Sequence, residues 1–195
     1  MLKNVLSLFR YIRTDLERYC ESWQNRGIAK PKRLRIIIES FLFKDGFQAV
    51  FLFRLCQFFY KLRLTYISWV LVRFNVFVTG TKIEYNANIG EGFLIAHSQE
   101  IVIGRGSIIG NHVTVYQGVS LGVKDLNPEN INKFPIIEND VILFAGAKII
   151  GNVRVGRDSI VGTNSVVVND IPPNSVAVGV PAKIVKKDHS ALQKT

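Results

Sequence analysis

The sequence predicts a mainly β protein: a parallel β-helix of six-residue repeats preceded by a short α-helical region. Three observations carry this. Aliphatic residues recur every six positions through the second half of the chain, glycine directly follows many of them, and the first half shows neither feature. A strict period of six fits neither the 3.6 of a helix nor the 2.0 of an alternating strand.

Residues 1–77 read as the helical region. From Leu34 to Leu62 the apolar residues fall in blocks of three or four separated by Lys, Arg, Glu and Gln, with turn residues only at Lys44 to Gly46. That predicts two or more helices broken at Gly46. The helix around Phe47 to Leu62, with Arg54, Lys61 and Arg63 among aromatics, is of the kind that lies in a membrane interface or packs on a partner.

Residues 78–187 read as the β-helix, followed by a tail at 188–195. The period-six positions are Ile83, Ile89 and Ile95; then Ile103, Ile109, Val115 and Leu121; then Ile137, Leu143, Ile149, Val155, Val161 and Val167. Within the runs, four residues after the aliphatic position stands a small or β-branched residue (Ala87, Ser107, Val113, Val119, Val141, Ala147, Val153, Ser159 and Ser165), with Phe93 as the exception. A coil of three short strands explains both, with the aliphatic residue pointing into a narrow prism and glycine next, in a conformation it tolerates best. This hexapeptide pattern resembles the left-handed parallel β-helix, an exception to the usual right-handed crossover.

Two breaks in the period locate the chemistry. Ile95 to Ile103 is eight residues, which places a two-residue bulge directly after His97. Leu121 to Ile137 is sixteen, so a loop within 122–135 must leave the solenoid. Insertions in a solenoid go outward and often build its binding face.

The net charge of +10 is unevenly spread: from Met1 to Asn75 there are fourteen Lys/Arg against five Asp/Glu, and beyond that eleven against ten. Such a basic segment attracts polyanions, anionic lipid or an acidic glycan included. The two cysteines, Cys20 and Cys56, stand far apart with no CxxC or clustered histidines, which predicts a reducing cytoplasm and no metal. The most apolar run, Leu64 to Val78, is interrupted by Arg73 and is shorter than the ~20 residues of a membrane span.

The runs from Val78 to Gly122 and from Ala145 to Val185, with the loop between them, resemble the serine acetyltransferase branch of the hexapeptide acyltransferases. That resemblance implies homotrimers with active sites between neighbouring β-helices and acetyl-coenzyme A as co-substrate. It makes His97 the general base that takes the acceptor's hydroxyl proton, work suited to an imidazole near neutral pH. It implies small residues, Gly122, Ala145, Gly146, Gly162 and Thr163, beside the pantetheine arm, and Lys183 and Lys187 toward the coenzyme phosphates.

The chain departs from the family pattern around the acceptor. The acidic residue fifteen positions before the base is Lys82 here, with Glu84 as its expected replacement in orienting His97. The acidic residue before the base is Ala96, and the Arg-His pair before the proline is Lys133-Phe134. A desolvated amino-acid zwitterion needs both charges paired. The reading placed first is therefore an acetyl-coenzyme A-dependent O-acetyltransferase of surface-polysaccharide assembly (capsule, exopolysaccharide or O-antigen), the chain being expected to lie closest to polysaccharide-biosynthesis O-acetyltransferases within the family, with Lys82, Lys133 and Phe134 at a carbohydrate acceptor. L-Serine acetylation for cysteine synthesis is the alternative, and a non-catalytic scaffold is the alternative from another class. The expected setting is the cytoplasm, peripherally at the inner membrane face, with no nucleic-acid partner.

Overall fold

The computed structural model describes residues 2–24, 33–127 and 133–187, and residues 2, 21–24, 33–37, 186 and 187 as backbone only. Four helices come first: α1 (Leu2–Gln24), α2 (Arg33–Phe43), α3 (Asp45–Lys61) and α4 (Thr65–Thr79). Helix α4 ends at Gly80, which adopts φ 71 and stops the helix because no Cβ opposes the left-handed turn.

The β-helix then winds in coils of three short strands. The first coil is β1 (Lys82–Ile83), β2 (Asn88–Ile89) and β3 (Leu94–Ile95); the second is β4 (Val102–Ile103), β5 (Ile108–Ile109) and β6 (Thr114–Val115). The third is β7 (Ser120–Gly122), β8 (Ile136–Ile137) and β9 (Ile142–Leu143), and the fourth is β10 (Lys148–Ile150), β11 (Arg154–Val155) and β12 (Ile160–Val161). The last comprises β13 (Val166–Val167) and β14 (Ser175–Val178), on which β15 (Lys183–Lys187) pairs antiparallel. Stacked coils make three flat parallel sheets: sheet 1 (β1-β4-β7-β10-β13), sheet 2 (β2-β5-β8-β11) and sheet 3 (β3-β6-β9-β12-β14, edged by β15).

The expected register holds throughout. All thirteen period-six aliphatics point inward and are buried, and so are the small or β-branched residues four positions on: Ala87, Ser107, Val113, Val119, Val141, Ala147, Val153, Ser159 and Ser165. Phe93 is buried as well, its bulk filling the first coil beneath α1 and α3.

The role expected for the repeat glycines is corrected. Gly90, Gly104, Gly110, Gly156 and Gly162, which follow the aliphatic positions, are absent from the residues of positive φ; those lie two positions further along, at Gly92, Gly106, Gly118, His112, Asp140 and Asn164 among others. Crowding is the reason for glycine at the first position. A Cβ on Gly110 would lie 2.8 Å from the Asn139 amide nitrogen, and one on Gly104 2.9 Å from the Leu121 carbonyl oxygen, so the next coil leaves no room for it.

The open first coil must satisfy backbone groups that have no preceding coil to pair with. The helices do this with buried polar side chains. Arg54 of α3 donates to the carbonyls of Ile89 (2.8 Å) and Gly90 (2.5 Å), and forms a two-pronged pair with Asp15 of α1 at 2.8 and 3.1 Å. Asp15 also accepts the Phe93 amide at 2.9 Å, while Gln57 donates to the Ala87 carbonyl. Tyr19 uses one hydroxyl twice, donating to the Ile95 carbonyl and accepting from the Ile95 amide. Burial pushes the Asp15 carboxyl above its usual range, and Arg54 pulls it back.

Helix α3 is therefore the inner helix of the cap. Phe47, Ala49, Val50 and Phe53 are buried against the β-helix and its neighbours, which corrects the expectation that this helix lies in a membrane interface. Among the described residues, no helix is long and apolar enough to cross a membrane.

Candidate active site

Each coil turns from sheet 3 back to sheet 1 at one long edge, and the residues of interest collect there. His97 leaves the end of β3 with an exposed ring. Among the described residues, no hydrogen bond or ion pair engages it. Above it, coil by coil, stand Tyr116 to Gly118, Phe144 to Gly146 and Gly162 to Asn164. Backbone bonds tie these turns into a ladder: Gly118 N–H to the Gln99 carbonyl (2.9 Å), Gly146 N–H to Gln117 (2.8 Å) and Asn164 N–H to Ala145 (2.9 Å).

The ladder leaves a narrow track of small residues. Gly118 and Gly146 adopt φ 73 and 74, and a Cβ on Gly118 would meet the Gly146 backbone at 3.3 Å. Tyr116 and Phe144 stack beside the track with ring centroids 5.1 Å apart. Lys148 of β10 reaches down to the Gly118 carbonyl and, at 3.1 Å, to the Ser120 hydroxyl. At the top, the turn from Gly179 to Ala182 bonds to Val166 and carries Lys183 to the same edge. Ala145, Gly146, Gly162, Thr163 and Lys183 are thus gathered along one edge with His97 at its base. The Lys187 side chain lies outside the described ones.

The other expected site residues lie elsewhere in the protomer. Gly122 ends β7 at the opposite edge of sheet 1, where its carbonyl accepts the Gly151 amide at 2.8 Å. Lys133 and Phe134 re-enter at that edge, the residues before them (128–132) lying outside the described part. The Phe134 ring is half-buried on the turn Gly104 to Gly106, where a Cβ on either glycine would fall within 3.0 Å of it. Sheet 1 separates Phe134 from His97.

Glu84 does not orient His97 within the protomer, which corrects that expectation. Alternate residues on a short strand share a side, and Glu84 and Lys82 therefore satisfy each other as an ion pair at 3.1 Å.

The acidic group bonded to the bulge that follows His97 is one that sequence reasoning missed. Asp45, at the start of α3, accepts the amide (3.2 Å) and hydroxyl (2.8 Å) of Ser98 and the side-chain amide of Gln99 (2.9 Å). Ser98 and Gln99 are the residues that follow His97 in the bulge. The Ser98 hydroxyl also lies 2.7 Å from the Thr79 carbonyl, sharing its single proton between that oxygen and Asp45, and the Ser98 carbonyl accepts from Thr81. Gly46 allows this approach, since a Cβ there would sit on the Ile95 carbonyl oxygen. An aspartate in the first turn is common at any helix N-terminus, so nothing in the local sequence marked it out.

Burial raises the Asp45 carboxyl, but its hydrogen bonds from Ser98, Gly46 and Gln99 outweigh that and hold it below the ordinary value of 3.8. A depressed folded pKa stabilises above the unfolded value, near ~3.9, and the contribution is lost as pH falls through the folded value. Asp45→Asn is expected to weaken the bulge at neutral pH and to flatten the stability-pH curve below about pH 4, as read by thermal melts across an acid series.

No family model matches the chain. Serine acetyltransferase of Bacillus licheniformis is 36% identical over 160 residues, covering 82% of this chain and 73% of that protein. The chain belongs to the serine acetyltransferase family. Its members are acetyl-coenzyme A-dependent O-acetyltransferases, and the helical cap followed by a hexapeptide β-helix is their fold. The crystal structure of serine acetyltransferase from Brucella abortus in complex with coenzyme A superposes with a TM-score of 0.79 at 26% identity, over 91% of this chain and 67% of that one. That of the Neisseria gonorrhoeae enzyme in complex with serine gives 0.80 at 27% identity, over 93% and 70%. These relatives are named for serine, and they give no support to the expected closeness to polysaccharide O-acetyltransferases.

Proposed function

We propose that this family member transfers the acetyl group of acetyl-coenzyme A to the hydroxyl of L-serine, with His97 as general base. The observation that carries the reading is His97, exposed on the bulge at the foot of a track of small residues, in a chain whose relatives include one solved with coenzyme A and one with serine. The His97 imidazole takes the hydroxyl proton as the oxygen attacks the thioester carbonyl. The tetrahedral intermediate collapses, the C–S bond breaks, and the imidazolium returns the proton to the departing thiolate. The track of Gly118, Ala145, Gly146 and Gly162 suits an extended pantetheine arm, and the exposed Lys183 suits a phosphate.

His97 and Phe134 stand at opposite edges of sheet 1, so two copies placed side by side would bring one edge of each together. The site is accordingly read as shared between protomers of a trimer. A measured solution mass three times the chain's 22.0 kDa is expected, and a monomer would remove this part of the reading.

One observation favours a second acceptor, a sugar hydroxyl. Ala96 offers no charge to an ammonium group, and the half-buried Phe134 ring presents an apolar face such as stacks on a sugar. Thiol release from acetyl-coenzyme A with L-serine and with a panel of sugars decides between them. Serine-dependent release supports the first reading; release with sugars alone supports the second. A thermal shift with coenzyme A is expected in both cases, and its absence would favour a non-catalytic scaffold.

A further inference from the structure

Helix α4 is built inside out. Its buried stripe is Ser68, Val72, Asn75 and Thr79, largely polar. Ser68 exchanges bonds with Cys56 of α3, its hydroxyl donating to the Cys56 carbonyl and its carbonyl accepting from the thiol, and the Asn75 side chain donates to the Ala49 carbonyl. The outward face carries the large apolar groups. Tyr66 is 89% exposed and Phe77 87%, with Trp69, Val70 and Phe74 each half exposed or more between them. Solvated surfaces rarely carry so continuous an apolar face unless something covers it.

Among the described residues, the free charges on this face are two arginines, Arg63 and Arg73, and α4 itself carries no acidic residue; Arg54 is buried against Asp15 and Lys82 is paired with Glu84, so neither adds to it. Arg63 stands exposed at the turn into α4, and the Arg73 guanidinium lies over the Trp69 ring, 5.4 Å from its centroid. A shallow hollow opens between Thr65, Tyr66, Trp69 and Tyr85. A second copy docked through the same face would bring Arg63 and Arg73 against their own kind with no carboxylate on the helix to pair them. Aromatic side chains with polar tips beside arginines suit a bilayer's headgroup level, where the rings meet acyl chains and the guanidinium groups meet phosphates.

We infer that the outer face of α4 docks the protein peripherally on an anionic phospholipid surface. The helix lies in the plane of the interface, since Arg73 and its length bar a crossing. The inference is independent of which acceptor the active site takes.

The test is flotation of the full-length protein with vesicles of phosphatidylcholine containing phosphatidylglycerol, against vesicles of phosphatidylcholine alone. The protein is expected to float with the anionic vesicles and to be released by high salt. Trp69→Ser combined with Phe77→Ser is expected to lower the bound fraction at least tenfold, and Arg63→Glu or Arg73→Glu about fivefold or more per residue. Melting temperature and thiol-release activity in the absence of vesicles report that these variants remain folded. In a Trp23→Phe background, the Trp69 emission is expected to shift to the blue on vesicle binding. No flotation of the wild type, or flotation that the α4 variants leave unchanged, would overturn the inference. So would α4 variants that change the oligomer's mass while the wild type stays off the vesicles, because the face would then be covered by another copy.

Discussion

Replacing His97 by asparagine is expected to reduce acetyl transfer by about 10² to 10⁴ while leaving the fold and coenzyme binding intact. The separation of effects follows from the architecture. His97 is exposed, with no hydrogen bond or ion pair among the described residues, so removing its ring costs little stability. The candidate coenzyme track is made by other coils and largely by backbone and small side chains, from Gly118 up to Asn164. Thermal-shift titration with coenzyme A is thus expected to give wild-type affinity while turnover collapses. A variant that lost both together would point instead to distortion of the bulge. Asp45→Ala, which removes the acceptor for Ser98 and Gln99, offers that comparison directly.

The largest effect on stability is expected at Arg54. Its guanidinium and the Asp15 carboxylate are each 1% exposed, and together they hold the Ile89 and Gly90 carbonyls and the Phe93 amide at the mouth of the solenoid. Arg54→Ala leaves a buried carboxylate without its partner, which is worth about 3–5 kcal/mol. For a chain of this size that lowers the melting temperature by on the order of 10 °C. Removing both charges at once, with Asp15→Leu and Arg54→Met, is expected to recover part of the loss, since no lone charge remains buried. Thermal denaturation of the single and double variants measures both effects. Equal melting temperatures for wild type and Arg54→Ala would show that the pair does not secure the cap.

The β-helix was legible because its signal is local and repeated. Each coil writes the same six-residue pattern, and every period-six aliphatic from Ile83 to Val167 points inward as that pattern requires. The reason for glycine was not legible in the same way. It lies in the closeness of the next coil, as at Gly110 beneath Asn139, and only the stacked structure shows that distance. The helical cap was still less legible, because its logic is long-range. Arg54 reads as a charge among aromatics on an interfacial helix until the open coil it satisfies is in place, and Tyr19 serves Ile95, seventy-six positions away. The inverted stripe of α4 misleads for the same reason, since Ser68 and Asn75 are buried by the backbone carbonyls they reach.

The candidate site divides similarly. His97 was marked by the two-residue break after it, whereas Ala145, Gly146, Gly162 and Thr163 were named through the family resemblance, and the structure gathers them on one edge. Glu84, expected to orient His97, is instead paired within the protomer with Lys82, because strand alternation places the two on one side. Asp45 was overlooked because its partners are more than fifty residues away.

The most direct test of the central claim is the initial rate of coenzyme A thiol release from acetyl-coenzyme A, with and without L-serine, for the wild type and His97→Asn. Serine-dependent release by the wild type, reduced at least a hundredfold in His97→Asn, is the expected result. Equal serine-dependent rates for the two proteins would contradict it.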